Sequence, residues 1–266
     1  MLAVDESIWE EQWQRISRYE DSLLSLDAFG RRALHSFGCW ISGDDQMILE
    51  AGSGTGRFAL AIAKRYPSSQ VIGLDISFSA VSLARRIASR TGIDNGHFKV
   101  GNIFEMPFVD GSFDVTFNEG VVEHFVDFRD AISEMIRVAK PGGKVIVAVP
   151  NWYCLPHTLY KRFKGDRYQY GYEKSFKSKE LIAIFRDFGL VDIEVSGFDP
   201  AYGIGRMRKL SRLGPMLDKL VIKPLDALTR SMFSKKFGFE ICVKGVKPPM
   251  EAGRCARMEG TPYVQS

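Results

Sequence analysis

The fold is decided by residues 47–66, which read MILEAGSGTGRFALAIAKRY. The first five residues form a short apolar run typical of a buried strand, and the last ten have helical spacing until Pro67 stops them. Between them lies the glycine-rich turn at 52–56, GSGTG. A strand that runs through such a turn into a helix brings backbone N–H groups, unobstructed by Cβ atoms, to a ligand at the strand's end. The stretch therefore predicts the first βα unit of an α/β fold and a ligand site at its turn.

The same rhythm of strands and helices continues up to about residue 150. Four further apolar runs predict strands, and they read QVIGLD, HFKVGN, FDVTFN and KVIVAVP. Between them we expect a helix over SFSAVSLARRIASRTG, capped by Ser77 and ended by Gly92, and another over 127–139. Five strands joined by crossover helices favour a doubly wound parallel sheet, because right-handed crossovers leave few other arrangements.

The two ends of the chain add to this core. Residues 1–44 predict an N-terminal helical cap, in which Trp9 and Trp13 anchor a helix to the core. Beyond residue 150, SKELIAIFRDFGL predicts a helix, whereas VDIEVSGF and FGFEICVKGVK predict strands. Between these two strands, a predicted basic helical insertion at 199–236 holds nine basic and three acidic residues, a net +6 that leaves −2 for the rest. The tail at 248–266 shows no periodicity and is expected to be disordered.

Composition excludes several classes of protein. The chain has 266 residues, of which 45% are hydrophobic and 26% charged, so it is neither disordered throughout nor fibrous. No apolar run approaches the roughly 18 residues of a spanning helix, and the acidic first residues lack a signal-peptide pattern, so we expect a cytoplasmic protein. The four cysteines form no C-x-x-C pair, which argues against a disulfide framework and a zinc site.

The turn also narrows the class of ligand. A phosphate-binding P-loop needs a lysine after its glycines, and none follows here. A dinucleotide fingerprint needs a further glycine where this chain has Arg57. Glu50, two residues before the first glycine, would repel a phosphate but suits a cationic group. Asp75, at the end of the second predicted strand, can accept hydrogen bonds from both hydroxyls of a ribose.

These motifs, in their order along the chain, resemble a known family. The stretches ILEAGSGTGRFAL, VIGLDIS and GNIFEMPFVDGSFDVTFNEGVVEHFVDFRDAISEMIRVAKPGGKVIVAVPN are similar to class I S-adenosylmethionine-dependent methyltransferases, in the small-molecule group related to quinone-biosynthesis methylases. The resemblance covers residues 45–150, and SKELIAIFRDFGLVDIEV extends it. It implies a Rossmann-like sheet of seven strands, mostly parallel with an antiparallel last strand. The methyltransferase domain would span 45–247, with insertions at 151–178 and 199–236 acting as a substrate lid.

The resemblance further implies which residues bind S-adenosyl-L-methionine. The methionine and ribose would lie against the turn, which contains Gly52, Ser53, Gly54 and Gly56. Glu50 would face the ammonium group, and Asp75 would hold the ribose hydroxyls. The adenine would be contacted by Ile76, Asn102 and Ile103, and the methionine portion by Asn118 and Glu119. Asn102 stands where many relatives have an aspartate that accepts a hydrogen bond from the adenine amine.

Methyl transfer from a sulfonium needs little covalent chemistry from the protein. The methyl group is already activated, so the protein must align a nucleophile opposite the departing sulfur and exclude water, without a metal. A general base is needed only if the acceptor must lose a proton. His124 is the first candidate base and Glu119 the second. The competing interpretation is that His124 is structural or lies beside the cofactor, because its E-H-F pattern is common across the family.

The acceptor is less well defined by the sequence. Nucleobase amino-methyltransferases carry a [DNS]-P-P-[YFW] motif where residues 118–121 read NEGV, so we expect a small-molecule or lipid-like acceptor. Basic and aromatic residues between 152 and 176 leave an RNA or protein methyltransferase as the alternative. A non-catalytic cofactor-binding module and a nicotinamide-dependent reductase are further alternatives. The 199–236 insertion could contact an anionic membrane, or pack as an amphipathic helix across the mouth of the site.

Overall fold

A computed structural model describes residues 6–17, 26–165, 172–198 and 236–249 of the chain. The predicted insertion at 199–236 and tail at 248–266 therefore lie outside the described residues, apart from Lys236 and residues 248 and 249. Of the predicted insertion at 151–178, residues 166–171 are likewise outside them. No helix in the described part of the chain is both long enough and apolar enough to cross a membrane.

A single seven-stranded sheet forms the centre of the described structure. Its strands are β1 Met47–Ala51, β2 Gln70–Asp75, β3 Gly96–Val100, β4 Phe113–Glu119, β5 Ala139–Pro150, β6 Val191–Phe198 and β7 Glu240–Val246. Their spatial order is β3-β2-β1-β4-β5-β7-β6. All neighbours from β3 to β5 run parallel, and β7 is antiparallel to both β5 and β6. The predicted fold, doubly wound and mostly parallel with an antiparallel last strand, is confirmed.

Helices cover both faces of this sheet. They are α1 Glu6–Ser17, α2 Ala28–Phe37, α3 Arg57–Arg65, α4 Phe78–Thr91, α5 Phe128–Val138, α6 Leu155–Lys164 and α7 Ser178–Asp187. Successive residues of a strand point to opposite faces, and this rule divides the core into two layers. Ile48 packs with the helices α2, α3 and α4, whereas its neighbour Leu49 packs with α5 and α7. Burial on both faces explains why the central strands are apolar throughout.

The predicted ends of α4 are confirmed in detail. The Ser77 hydroxyl accepts a hydrogen bond from the Ala80 N–H at 3.1 Å, which caps the first turn. Gly92 ends the helix with φ at 65°, a left-handed conformation that glycine adopts without steric cost. This helix begins directly after β2 and so holds the end of that strand, with Asp75, at the edge of the sheet.

One boundary between elements differs from that predicted. The KPGG sequence that was expected to separate helix from strand belongs to β5, where residues 140–143 form a bulge opposite Asp114. The domain boundary predicted at residue 44 stays a prediction, and the two described helices before it pack differently. Phe37 of α2 is fully buried against Phe58 and Phe117, so α2 is part of the core. Helix α1 lies over the functional edge of the sheet, as shown below.

Candidate active site

The predicted site residues meet at one edge of the sheet. The carboxyl ends of the parallel strands β1, β2, β4 and β5 lie there, and the antiparallel β7 begins there, since Glu240 pairs with Pro150 at the end of β5. In open α/β sheets ligands bind in the crevice at this edge, where the strand order reverses. Here the reversal falls between β1 and β4, beside the glycine-rich turn.

The turn at 52–56 has a backbone that other residues rarely adopt. Its three glycines have φ values of 80°, 50° and 73°, all in the left-handed region. A Cβ on Gly54 would lie 2.7 Å from the Trp13 ring, and one on Gly56 would lie 2.3 Å from the Phe98 ring. The sequence predicted glycines here for close approach to a ligand. The structure adds a second reason, since the protein's own aromatic rings occupy the space of the missing side chains.

Asp75 holds this turn through its carboxylate. Its Oδ2 accepts a hydrogen bond from the Gly54 N–H at 2.7 Å, and its Oδ1 accepts one from the Ser77 N–H at 2.9 Å. Burial raises the pKa of Asp75, and these backbone N–H groups partly oppose the rise. Asp75, the residue predicted to bind the ribose, therefore also fixes the conformation of the glycine turn.

The Glu50 carboxylate caps the helix that follows the turn. Its Oε2 accepts a hydrogen bond from the Ala59 N–H at 2.9 Å, in the first turn of α3. The side chain is 2% exposed, and burial raises its pKa well above the ordinary value. The sequence predicted a carboxylate facing the ammonium of the cofactor, and that role stays a prediction; the contact that the structure shows is the helix cap.

The two asparagines of the predicted site also have structural partners. The buried Asn118 donates from its amide to the Ala51 carbonyl at 2.7 Å, and so ties the end of β4 to the end of β1. The exposed Asn102 accepts from the Phe104 N–H at 2.9 Å and closes a local turn. Ile103 is buried in the core beside it, and Ile76 is half-buried. Ser53 is buried, and its hydroxyl has no hydrogen-bond partner among the described residues.

The two candidate bases lie in different surroundings. Glu119 accepts from the guanidinium of Arg57 at 3.2 Å; burial raises its pKa, and Arg57 partly opposes that rise. The Nδ1 of His124 lies 2.8 Å from the Tyr172 carbonyl, which can only accept, so Nδ1 carries the proton. In the neutral ring Nε2 then has the lone pair. Burial lowers the pKa of His124 and so favours this neutral form.

Helix α1 lies across the site. The Trp9 ring packs edge-on against His124 at a centroid distance of 4.9 Å, and Trp13 lies against Gly54. The Glu10 carboxylate accepts hydrogen bonds from the hydroxyls of Ser77 and Ser79. The two tryptophans were predicted to anchor the helix to the core. They do anchor it, but on two of the predicted site residues.

Sequence analysis missed two buried glutamates at this edge, Glu123 and Glu240. Glu123 lies in the short 3-10 turn Val122–His124, directly after β4, and is 2% exposed. Glu240 is the first residue of β7 and is 4% exposed. A glutamate in the otherwise apolar run FGFEICV is the one signal that the sequence offered, because a charged residue in a covered strand needs a reason.

Comparisons with known proteins agree with this geometry. The sequence matches the model of a methyltransferase domain family over residues 42–187. The demethylmenaquinone methyltransferase of Halalkalibacterium halodurans is 30% identical over 176 residues, which cover 58% of this chain and 71% of that protein. The enzyme of the same name from Thermus thermophilus is 34% identical over 100 residues, which cover 38% of this chain but only 45% of that protein.

A solved structure shows the same fold. It is a Thermotoga maritima S-adenosylmethionine-dependent methyltransferase, described as a possible histamine N-methyltransferase, and it matches with a TM-score of 0.57 at 17% identity. The match covers 89% of this chain and 94% of that one.

The sheet order and the glycine turn define the class I methyltransferase fold. The chain belongs to the methyltransferase domain family, whose model covers more than half of it. The predictions of an S-adenosylmethionine-dependent methyltransferase, of its cofactor and of the quinone-methylase-like group are thereby confirmed. The roles of the individual site residues stay predictions.

Proposed function

We propose that the protein transfers the methyl group of S-adenosyl-L-methionine to a small organic acceptor bound over the ends of β4 and β5. The observation that carries this proposal is the position of Asp75, whose carboxylate is held by two backbone N–H groups beside the glycine turn. The relatives named demethylmenaquinone methyltransferase support an acceptor of small-molecule size.

The chemistry of Asp75 fits a nucleoside with a free ribose. An ionised carboxylate has about four acceptor sites, and the two backbone N–H groups use one on each oxygen. The carboxylate therefore keeps acceptor capacity for ribose hydroxyls. Because the carboxylate is already fixed, it loses little conformational freedom when the hydroxyls bind.

The other predicted residues complete the cofactor site in this proposal. Ile76 would pack against the adenine, Ile103 would contribute its backbone N–H to the ring, and Asn102 would accept from the adenine amine. The turn at 52–56, with Ser53, would lie against the ribose and the methionine, and Asn118 would position the turn through its bond to Ala51. The bound sulfonium supplies an activated methyl group, so the residues of the chain orient the reactants and exclude water.

Helix α1 would provide the exclusion of water. Trp9 and Trp13 cover His124 and Gly54 respectively, so the helix places two apolar rings over the edge where the reactants would meet. His124 would act as the base for an acceptor that must lose a proton, because its Nε2 has the lone pair in the neutral ring. Glu119 is the weaker candidate, because Arg57 stabilises its ionised form.

Titration of S-adenosylhomocysteine into the protein, followed by calorimetry, tests this function. We expect Asp75→Ala to weaken binding by about 1–3 kcal/mol, or roughly 5- to 150-fold, through loss of charge-assisted hydrogen bonds. Asp114→Ala is the matched control. Asp114 also accepts from two backbone N–H groups, those of Gln46 and Met47, but at the opposite end of the sheet. It should lower stability and leave affinity unchanged; equal affinity of the Asp75 variant and the parent would show that the ribose is placed wrongly.

A further inference from the structure

Three glutamate carboxyl groups lie at this edge of the sheet, and one of them belongs to the predicted cofactor residue Glu119. Glu119 ends β4, Glu123 follows in the 3-10 turn, and Glu240 begins β7. All three side chains are largely buried, and the carboxyl groups of Glu119 and Glu240 are within hydrogen-bonding reach of each other. We call these three residues the glutamate cluster.

The described structure supplies fewer cationic partners than there are carboxyl groups around this cluster. Arg57 pairs with Glu119 at 3.2 Å, and Lys161 pairs with a fourth buried glutamate, Glu173, at 3.1 Å. The Oε2 atoms of Glu123 and Glu240 are buried, and neither has a hydrogen-bond partner among the described residues. A buried carboxylate oxygen without a donor is costly, so a ligand that brings donors would stabilise these two groups.

The strand that carries Glu240 is separated from the glycine turn. Strand β7 lies three positions from β1 in the sheet, with β4 and β5 between them. At a spacing of about 4.8 Å per strand, the backbone at Glu240 is therefore roughly 14 Å from the strand that enters the glycine turn. A group that contacts its carboxylate lies on the acceptor side of the crevice, beyond Glu119.

A metal ion is a poor occupant for this cluster. In the part of the chain that the structure describes, no group of three or more His, Cys, Asp or Glu side chains is arranged to hold one. An organic cation with N–H donors has less strict geometry, and it supplies both the charge and the hydrogen bonds that the two Oε2 atoms lack.

We propose that the methyl acceptor carries a cationic amine, which is anchored by the carboxylates of Glu123 and Glu240. This proposal rests on the proposed function, because it gives the substrate class for the same site. Burial raises the pKa of both glutamates, and neighbouring carboxylates add to the rise: Glu173 and Glu119 act on Glu123, and Glu119 and Glu123 act on Glu240. A bound cation has the opposite effect, because it favours the ionised carboxylates and is favoured by them.

Binding of a simple pair of probes tests the proposal. Benzylammonium and benzyl alcohol have nearly the same shape, and differ in that the first is charged and donates from nitrogen. Each would be titrated into protein saturated with S-adenosylhomocysteine, and binding followed by calorimetry. We expect benzylammonium to bind at least tenfold more tightly than benzyl alcohol. Equal binding, absence of binding by both, or a preference for the alcohol would overturn the proposal.

Amide variants locate the preference in the cluster. Glu240→Gln and Glu123→Gln keep the size of each side chain and remove its charge, and each should reduce the preference for benzylammonium at least threefold. Asp44→Asn is the control, because Asp44 is exposed and precedes β1 at the opposite end of the sheet. A preference that both glutamine variants retain would overturn the assignment to these residues.

The same titrations separate this proposal from the proposed function. If S-adenosylhomocysteine does not bind the unaltered protein, the proposed function fails. If S-adenosylhomocysteine binds and the probes show no preference for the cation, the cofactor site stands and the amine acceptor falls.

Discussion

The buried carboxylates in the two halves of the site differ in their hydrogen-bond donors. In the cofactor half, formed by β1, β2 and the turn at 52–56, Glu50 and Asp75 accept hydrogen bonds from nearby backbone N–H groups. In the acceptor half, formed by the end of β4, the 3-10 turn and the start of β7, Glu123 and Glu240 each have a buried oxygen without a described donor. The carboxylates of the first half are held by the protein's own backbone, whereas those of the second are suited to a ligand that brings positive charge.

The largest expected effect on stability comes from a substitution at Gly56, in the cofactor half. Gly56→Ala should lower the free energy of unfolding by about 2–4 kcal/mol, because it combines a left-handed backbone with a Cβ 2.3 Å from the Phe98 ring. Gly92→Ala is the control, since Gly92 has a similar φ of 65° and open space around it, and should cost about 1–2 kcal/mol. Urea denaturation measures both. Equal losses would show that backbone strain, without packing, explains the glycine in the turn.

The next largest effect concerns the hydrogen bond from Asn118 to Ala51, which joins the two halves of the site. Asn118→Ala should cost about 1–3 kcal/mol, because the Ala51 carbonyl would lose its donor in a buried place. Thr116→Val, two residues earlier on the same strand, removes a longer bond of 3.3 Å to the Met135 carbonyl and should cost about 0.5 kcal/mol. Denaturation midpoints of the two variants compare them. A Thr116 variant as unstable as the Asn118 variant would show that the hydrogen bond from Asn118 to Ala51 contributes no more than an ordinary bond in this strand.

The stability of the protein should depend on pH through Glu240 in the acceptor half. The pKa of Glu240 is raised well above its ordinary value of 4.5 by burial and by the charges of Glu119, Glu123 and Glu173, which Arg57 partly offsets. The folded protein then binds more protons than the unfolded chain above pH 4.5, so stability falls as pH rises through this range.

Glu240→Gln should remove the contribution of Glu240 to this slope, because an amide does not titrate. Its stability relative to the parent protein should therefore be greater at pH 8 than at pH 5, as measured by urea denaturation at both values. Asp114→Asn serves as the control, since the pKa of Asp114 is lowered from 3.8 and that carboxylate is ionised throughout this range. A constant difference between Glu240→Gln and the parent would mean that Glu240 ionises normally.

The cofactor half could be predicted from sequence because its residues follow one another closely along the chain. The glycine turn lies between a strand and a helix, and Asp75 follows the next strand, so local patterns were sufficient. The acceptor half joins residues that are far apart in sequence, such as Glu119 and Glu240. No local pattern relates them; they meet because β7 inserts beside β5 at the same edge of the sheet.

The N-terminal segment shows a second limit of sequence reasoning. Helical spacing correctly indicated helices in 1–44, but spacing does not say which surface a helix covers. Helix α2 packs into the core through Phe37, whereas α1 lies over the site through Trp9 and Trp13. Both helices carry apolar residues on one face, so their separate roles follow from tertiary packing alone.

The smallest expected effect concerns the one predicted cofactor contact that is exposed, Asn102. Its Oδ1 accepts from the Phe104 N–H, and an aspartate can keep that turn while adding charge to the acceptor. Asn102→Asp should therefore bind S-adenosylhomocysteine about three- to tenfold more tightly, because a charged acceptor forms a stronger hydrogen bond with the adenine amine than a neutral one does. Asn102→Ala should bind several-fold more weakly. Calorimetry of the two variants beside the parent measures both changes, and identical affinities in all three proteins would place the adenine away from Asn102 while leaving the ribose at Asp75.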